Sequence, residues 1–153
     1  MIEVEVEVEG WTSAIDDVVS VVERAAMAAL GDREGGIVIL LTDNETVRDL
    51  NDRFRGKDRP TNVLSFPAAE MPGVEGAAPL GDIVLAYGVC AAEATEQSKT
   101  LRNHLTHLVV HGVLHLLGRD HEDDAEAEAM EGEERAVLAR LGVSDPYTLP
   151  HDG

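Results

Sequence analysis

The chain has 153 residues, 44% of them hydrophobic, and this length and apolar content predict a single domain over residues 1–153 with a real core. Its formal net charge of -18 at pH 7 argues against broad binding of nucleic-acid phosphate, which depends on an excess of lysine and arginine. No apolar stretch approaches the roughly 20 residues that span a bilayer, and residues 1–9 lack the basic start of a signal peptide, so we expect a cytoplasmic protein with no membrane partner.

The first third of the chain predicts a βαβα order. Residues 2–9 alternate apolar side chains with glutamate, which is the period of a strand with one wet face. Ser13 favours the start of a helix whose apolar stripe runs to about Leu30. The apolar run at residues 37–41 is typical of a buried strand, and Thr42 forms a capping box that opens a second helix.

A basic segment follows the second predicted helix. Four of the 12 basic side chains of this acidic chain fall close together, at Arg53, Arg55, Lys57 and Arg59. One interpretation is a local cationic loop on an acidic body, and the other is a solvated surface loop.

The second half of the chain predicts two strands and three helices. Prolines at both ends of residues 60–67 indicate a short strand at a sheet edge or an interrupted strand, and residues 82–87 restore a strand after a surface loop at residues 68–80. Helical periodicity then predicts helices at about residues 89–99, 101–117 and 124–141. The only cysteine, Cys90, is interpreted as a small buried hydrophobe, and a frayed tail is expected at residues 143–153.

Histidines are concentrated in one predicted helix and just after it, with five of the six between residues 104 and 121. His111 and His115 stand one helical turn apart on one face, where two imidazoles can reach one zinc ion at about 2.0–2.1 Å. Gly118 favours the left-handed conformation that ends a helix, so the chain can turn back and supply His121 as a third ligand. Three protein ligands leave one position for water, which predicts a catalytic site with one zinc ion per chain.

Two neighbouring residues refine this interpretation. His107 lies four residues before His111, but at 1.5 Å per residue it is about 12 Å from His115 along the axis, so we interpret it, with His104, as a core histidine or one that supports a ligand. Gly112 stands where metzincin proteases, which share the histidine spacing, carry the glutamate that activates water. Glycine in place of this glutamate leaves the histidine ligands of zinc intact but removes the general base that proteolysis requires. Two roles for the glycine stay open: it leaves open space above the metal, or it allows the helix to pack closely against a neighbour.

Three segments carry a family resemblance. They are residues 107–121, HLVVHGVLHLLGRDH, residues 55–67, RGKDRPTNVLSFP, and residues 81–83, GDI. Together they resemble the YbeY family of bacterial endoribonucleases and ribosomal RNA maturation factors, over nearly the whole chain in order and spacing. The family's histidine motif is highly specific.

The resemblance implies a fold, a site and an activity. The implied fold is α/β, with a small mixed, mostly parallel sheet covered by helices and a zinc site at the end of a central helix. The matching histidines, His111, His115 and His121, would bind the metal, and Arg59 falls on the arginine thought essential for activity. The implied activity is metal-dependent cleavage of single-stranded RNA, in maturation of the 3′ end of small-subunit ribosomal RNA and in ribosome quality control. RNA and small-subunit ribosomal proteins are the implied partners.

Some alternatives stay open at this point. Asn62 stands where the family commonly has an aspartate, and Arg119 where it commonly has a tyrosine, which leaves local substrate contacts open. Three functions remain: a metal-dependent endoribonuclease, a non-catalytic ribosome-assembly factor with a structural zinc, and a metal hydrolase with another substrate. The open fourth coordination position favours an enzyme.

Overall fold

The computed structural model describes residues 2–33, 35–67, 79–117 and 124–143. These ranges contain four strands and six helices, and the first strand is followed by two helices where the predicted βαβα order has one. The strands are β1 (Ile2–Val6), β2 (Gly36–Thr42), β3 (Val63–Pro67) and β4 (Pro79–Ala86). The helices are α1 (Glu9–Ala14), α2 (Val18–Leu30), α3 (Asn44–Arg55), α4 (Tyr87–Glu96), α5 (Leu101–Leu116) and α6 (Asp124–Arg140).

The sheet is small and mixed, with the strand order β1-β2-β4-β3. β1 pairs with β2, and β2 with β4, in parallel, whereas β3 runs antiparallel to β4 at the edge. Pro67 is tolerated in β3 because an edge strand can lack a backbone N–H on its outer side. The predicted mixed, mostly parallel sheet and the edge position of the proline-bracketed strand are confirmed.

The larger core lies between one face of the sheet and α2 and α5. Alternate residues of β2 point into it, and Ile37, Ile39 and Leu41 are at most 1% exposed. A smaller cluster under α3 covers part of the opposite face and consists of Val47, Leu64, Phe66, Val84 and Ala86. Because α5 packs on α2, α4, α6 and the sheet, it is the central helix that the resemblance implied.

The prediction of one continuous first helix from Ser13 to Leu30 is wrong. Ser13 lies inside the short α1, the chain becomes extended at Ile15, and α2 begins only at Val18. The cause is a tertiary contact: Trp11 is fully buried, and its indole N–H donates to the carbonyl of Thr42 at 3.1 Å. This anchor fixes α1 at the end of β2, and the break allows α2 to turn its apolar stripe to the core.

The cap of the second predicted helix is also displaced by one residue. Thr42 is the last residue of β2 and is buried, whereas the carboxylate of Asp43 accepts a hydrogen bond from the backbone N–H of Thr46 at 2.8 Å. This bond lowers the pKa of Asp43, since it stabilises the charged form. The predicted helix is present and begins at Asn44, one residue later than a cap at Thr42 implies.

Cys90, on α4, is fully buried, so its interpretation as a small core residue is confirmed. Burial raises the pKa of its thiol to about 12. The thiol is therefore protonated at neutral pH.

The remaining predictions concern the ends of the chain and the membrane. Among the helices described, none combines the length and apolarity that crossing a membrane requires. The single domain over residues 1–153 stays a prediction, and residues 144–153 of the expected tail lie outside the described ranges.

Candidate functional site

The predicted metal ligands His111 and His115 lie near the C-terminal end of α5. The helix begins with a cap at Thr100, whose hydroxyl accepts from the backbone N–H of Asn103 at 3.1 Å. His111 and His115 are both half-buried on one face of the helix, and their ring centroids are 5.8 Å apart. The spacing inferred from the sequence therefore places two nitrogen donors side by side.

These histidines form one wall of a cleft of about 370 Å³. Its lining combines the end of α3, the chain leading into β3 and the histidine face of α5, namely Asn51, Arg55, Lys57, Arg59, Thr61, Val63, Leu64, Ser65, His111 and His115. The structure thus brings the candidate catalytic Arg59 to the same cleft as two of the three candidate metal ligands. More than 50 residues of chain separate them in the sequence.

The segment that carries Arg59 is held by two contacts from α3. Gly56 ends the helix in the left-handed conformation with φ of 69°. The amide of Asn51, a side chain only 4% exposed, donates to the carbonyl of Arg59 at 2.9 Å. Arg48 donates to both carboxylate oxygens of Asp58, at 2.6 and 3.2 Å, and lowers the pKa of Asp58. These contacts fix the backbone from which Arg59 enters the cleft.

Asn51 was not predicted from the sequence as a functional residue. A signal was available, because Asn51 lies four residues after the buried Val47 and so occupies the apolar face of α3. A buried amide needs hydrogen-bond partners, and here one partner is the carbonyl next to Pro60.

The other basic residues of the segment differ from one another. Arg55 lines the cleft, donates to the carbonyl of Ser65 at 2.6 Å and lies over the Phe66 ring at 5.3 Å. Lys57 also lines the cleft. Arg53 is not among the lining residues and forms an exposed ion pair with Asp49 at 3.4 Å. Three of the four clustered cations therefore belong to the cleft.

A buried carboxylate supports the histidine wall from behind. Glu134, on α6, is completely buried, and one of its carboxylate oxygens makes a short contact with Nδ1 of His111. Its other oxygen lies 3.6 Å from Nε2 of His107. His107 is therefore next to a carboxylate that contacts a candidate ligand, in keeping with its interpretation as a supporting histidine.

Glu134 was also missed in the sequence. It belongs to an acidic stretch in which no functional residue was predicted. The signal was its position, since Glu134 follows Met130 by four residues and precedes Leu138 by four, and both of those are buried.

A second histidine and carboxylate pair lies closer to the start of α5. His104 is 3% exposed, and its Nε2 is 2.9 Å from Glu93, which also accepts from the amide of Asn62 at 3.0 Å. Burial lowers the pKa of His104, while Glu93 acts in the opposite direction. The core interpretation of His104 is confirmed. Asn62, the departure from the common aspartate, donates a bond to Glu93 that an ionised aspartate could not donate.

Gly112 faces β4. A Cβ atom at this position would lie 3.0 Å from Cδ1 of Ile83, so the glycine permits close packing of α5 on the sheet. The packing interpretation of Gly112 is thus confirmed. A glutamate side chain at this position would have to displace Ile83.

A larger groove, of about 450 Å³, lies on the sheet face next to α3 and differs in chemistry from the cleft. Its lining is mostly apolar and includes Phe54, Phe66 and the carboxylate of Asp82, whose pKa is raised by burial. It contains no histidine, so the smaller cleft is the better candidate for metal and phosphate chemistry.

The third predicted ligand, His121, together with Gly118 and Arg119, lies outside the described residues. Among the residues that are described, no group of three histidine, cysteine, aspartate or glutamate side chains is arranged to hold a metal ion. His111 and His115 nevertheless fit a metal, because they are adjacent imidazoles facing a cleft and one of them contacts a buried carboxylate. The pair requires a further donor, as the histidine spacing predicts.

Fold and cleft together define a class of protein. An α/β chain presents two imidazoles from one helix, which are metal donors, to a cleft that is also lined by arginine and lysine, whose cations suit phosphate. Such a combination is typical of metal-dependent hydrolases that act on phosphate esters.

Comparison with known proteins gives the particular family. The family model described as Endoribonuclease YbeY matches residues 2–142. Proteins named Endoribonuclease YbeY are 52% identical in Azorhizobium caulinodans, over 99% of both chains, and 48% identical in Parvibaculum lavamentivorans, over 99% of this chain and 87% of the relative. The solution structure of a Thermotoga maritima protein matches with a TM-score of 0.56 and 26% identity, over 97% of this chain and 99% of that one. This chain belongs to the YbeY endoribonuclease family.

Family membership confirms the resemblance and the enzyme class. The relatives are named endoribonucleases, which are hydrolases of RNA phosphodiester bonds. The shared fold with the Thermotoga maritima protein agrees with the predicted α/β class. The roles of His111, His115, His121 and Arg59 stay predictions.

Proposed function

We propose that this protein is a zinc-dependent endoribonuclease that cleaves single-stranded RNA, in maturation of the 3′ end of small-subunit ribosomal RNA and in ribosome quality control. The observation that carries the proposal is the common cleft of His111, His115 and Arg59. The names of the relatives support an RNA substrate. A ribosomal substrate also implies a cytoplasmic location and contact with small-subunit ribosomal proteins.

The family implies a metal-dependent enzyme, and the donor set favours zinc. His111, His115 and His121 would hold one ion per chain, since imidazole nitrogen is a preferred zinc ligand and the chain has no thiolate pair to compete. When bound, zinc lowers the pKa of a coordinated water toward about 7 and polarises a phosphoryl oxygen.

The cationic side chains that line the cleft, Arg59 and Lys57 among them, would bind and orient the RNA backbone. Arg59 is well placed to stabilise the charge that develops on the phosphate during cleavage, because its backbone is fixed by Asn51. Lys57 would add a second positive charge in the same cleft. Aromatic residues are only 3% of the chain, and its 30 acidic residues outnumber the 12 basic ones, so RNA contact would be confined to this cleft and would act through phosphate rather than base stacking.

The test is cleavage of a labelled single-stranded RNA by purified protein, with and without a zinc chelator. A His115→Ala variant purified in the same way is the control, because a contaminating nuclease would be present in both preparations. We expect cleavage by the wild type alone, lost on chelation and restored by zinc. Equal cleavage by the variant would assign the activity to a contaminant and would favour the non-catalytic assembly factor.

A further inference from the structure

We infer that Glu134 is a positioning residue for the metal site: its carboxylate holds the His111 ring so that Nε2 is the nitrogen offered to the ion. The inference rests on the proposed function, because it concerns how a zinc ligand is oriented. It adds a residue from α6 to a site otherwise built from α3, β3 and α5.

Burial is the first observation. The Glu134 side chain is 0% exposed, whereas the four glutamates whose burial is described elsewhere on α6 are all at least partly exposed, namely Glu126, Glu128, Glu131 and Glu133. Removing a carboxylate from water is costly unless it is paired and hydrogen-bonded. A buried glutamate therefore indicates a specific set of partners, and the described partners are His111 and His107.

Geometry gives the second step. The short contact joins a carboxylate oxygen of Glu134 to Nδ1 of His111. An ionised carboxylate only accepts hydrogen bonds, so Nδ1 must carry the proton that it donates. In a neutral ring, this leaves the lone pair on Nε2, the nitrogen on the opposite side from Glu134. The contact thus selects the tautomer and restricts rotation of the ring.

His107 completes the arrangement. Its Nε2 lies 3.6 Å from the second oxygen of Glu134, and its side chain is 15% exposed. The carboxylate is therefore held between two histidines one turn apart on α5, with ring centroids 6.4 Å apart. Both oxygens of Glu134 therefore face α5, and the first of them is in contact with Nδ1 of His111.

The chain offers a matched control at another histidine of α5, His104, whose carboxylate partner lies on α4. Glu93 contacts His104 at 2.9 Å, which is the same chemical pair, but neither residue lines the cleft. Replacing Glu93 by Gln alters a histidine and carboxylate pair without touching the proposed ligands. Any general effect of such a change on α5 would appear in both variants.

The experiment measures the zinc affinity of Glu134→Gln, Glu93→Gln and the wild type by competition with a chromophoric chelator. We expect Glu134→Gln to bind zinc about 10- to 100-fold more weakly, because the glutamine amide can donate to Nδ1 and favour the wrong tautomer. Glu93→Gln should bind like the wild type. Melting temperatures of the metal-free proteins show whether each variant folds. Equal zinc affinities of a folded Glu134→Gln and the wild type, or equal weakening in Glu93→Gln, would overturn the inference.

A second measurement does not need the variant to fold. Nitrogen NMR of the zinc-loaded wild type distinguishes the protonated ring nitrogen of His111 from the metal-bound one. We expect a proton on Nδ1 and zinc on Nε2, and zinc on Nδ1 would overturn the inference. Failure of the wild type to bind zinc would instead remove the proposed function and this inference with it, so the two kinds of failure are distinguishable.

Discussion

Two histidines of helix α5 pair with carboxylates on neighbouring helices, and the burial of the two pairs is opposite. In the first, His104 is 3% exposed and its partner Glu93 is 29% exposed. In the second, His111 is 26% exposed and its partner Glu134 is 0% exposed. Where the ring is buried, the pair belongs to the core. Where the acid is buried and the ring reaches a cleft, the acid can direct the ring toward a ligand. The same two residue types therefore serve packing at one position and a site at another.

The largest effect should come from removing a ring of the cleft pair. His111→Ala should lose bound zinc and reduce RNA cleavage by about 10³-fold or more, since a metal ion contributes several kcal/mol of stabilisation to the transition state. Elemental zinc content and single-turnover cleavage are the measurements. His104→Ala is the comparison and should retain close to one zinc per chain. Retention of zinc by His111→Ala, or equal loss in His107→Ala, would show that the ligand set is different.

A smaller effect is expected from replacing Arg59, which also lines the cleft. Arg59→Ala should lower cleavage by roughly 10²-fold at saturating RNA while zinc content and Tm stay close to those of the wild type, because one preorganised electrostatic contact is lost. Arg59→Lys should rescue only partly, since an ammonium cannot reproduce the planar guanidinium.

The control for that experiment is Arg53→Ala, because Arg53 is not among the residues that line the cleft. Its expected effect is confined to weaker RNA binding at low salt. If Arg59→Ala cleaves at the wild-type rate, Arg59 only docks the RNA.

A third substitution tests whether an acid introduced next to His111 can act in the cleft. Gly112→Glu adds a carboxylate one residue from His111, but its side chain would meet Ile83 rather than the cleft. We expect it to lower the free energy of unfolding by about 1–3 kcal/mol or more, through overpacking and burial of a charge. Urea unfolding measures this loss. Peptide hydrolysis should be absent in both proteins, and its appearance in the variant would contradict the placement of Gly112 against the sheet.

The smallest effect concerns the core pair and pH. Burial lowers the pKa of His104 from its ordinary value of 6.5, so the folded state favours the neutral ring. This stabilisation is fully present above pH 6.5 and is lost as the pH falls through the folded-state pKa. The slope contributed by one proton is at most about 1.4 kcal/mol per pH unit. Urea unfolding gives the free energy of unfolding of the metal-free wild type and of His104→Gln at each pH. We expect this free energy to depend less on pH in the variant. Equal pH dependence in the two proteins would contradict the contribution assigned to His104.

Several features could be predicted because the sequence repeats them locally. Alternation in β1 and the apolar stripe of α2 follow from the periods of strand and helix. The spacing of His111 and His115 is a local property of one helix, so the sequence alone placed the two rings on one face. The cluster of basic side chains at residues 53–59 was evident from composition, although Arg53 and Arg55 lie in the last turn of α3 and not in a loop after it. Family membership was likewise carried by motifs that can be read along the chain.

Other features depended on contacts between residues far apart in the chain. The first helix is interrupted after Ala14, where the buried indole of Trp11 anchors α1 to the carbonyl of Thr42. Asn51 fixes Arg59 only after α3 ends at Gly56 and the chain turns back. In the sequence, Glu134 is one acid in an acidic stretch, and only the packing of α6 on α5 places it against His111, 23 residues away. Local patterns determine which face of an element is apolar. The partner that a buried polar side chain finds on another element depends on how the elements pack, and this only the tertiary structure decides.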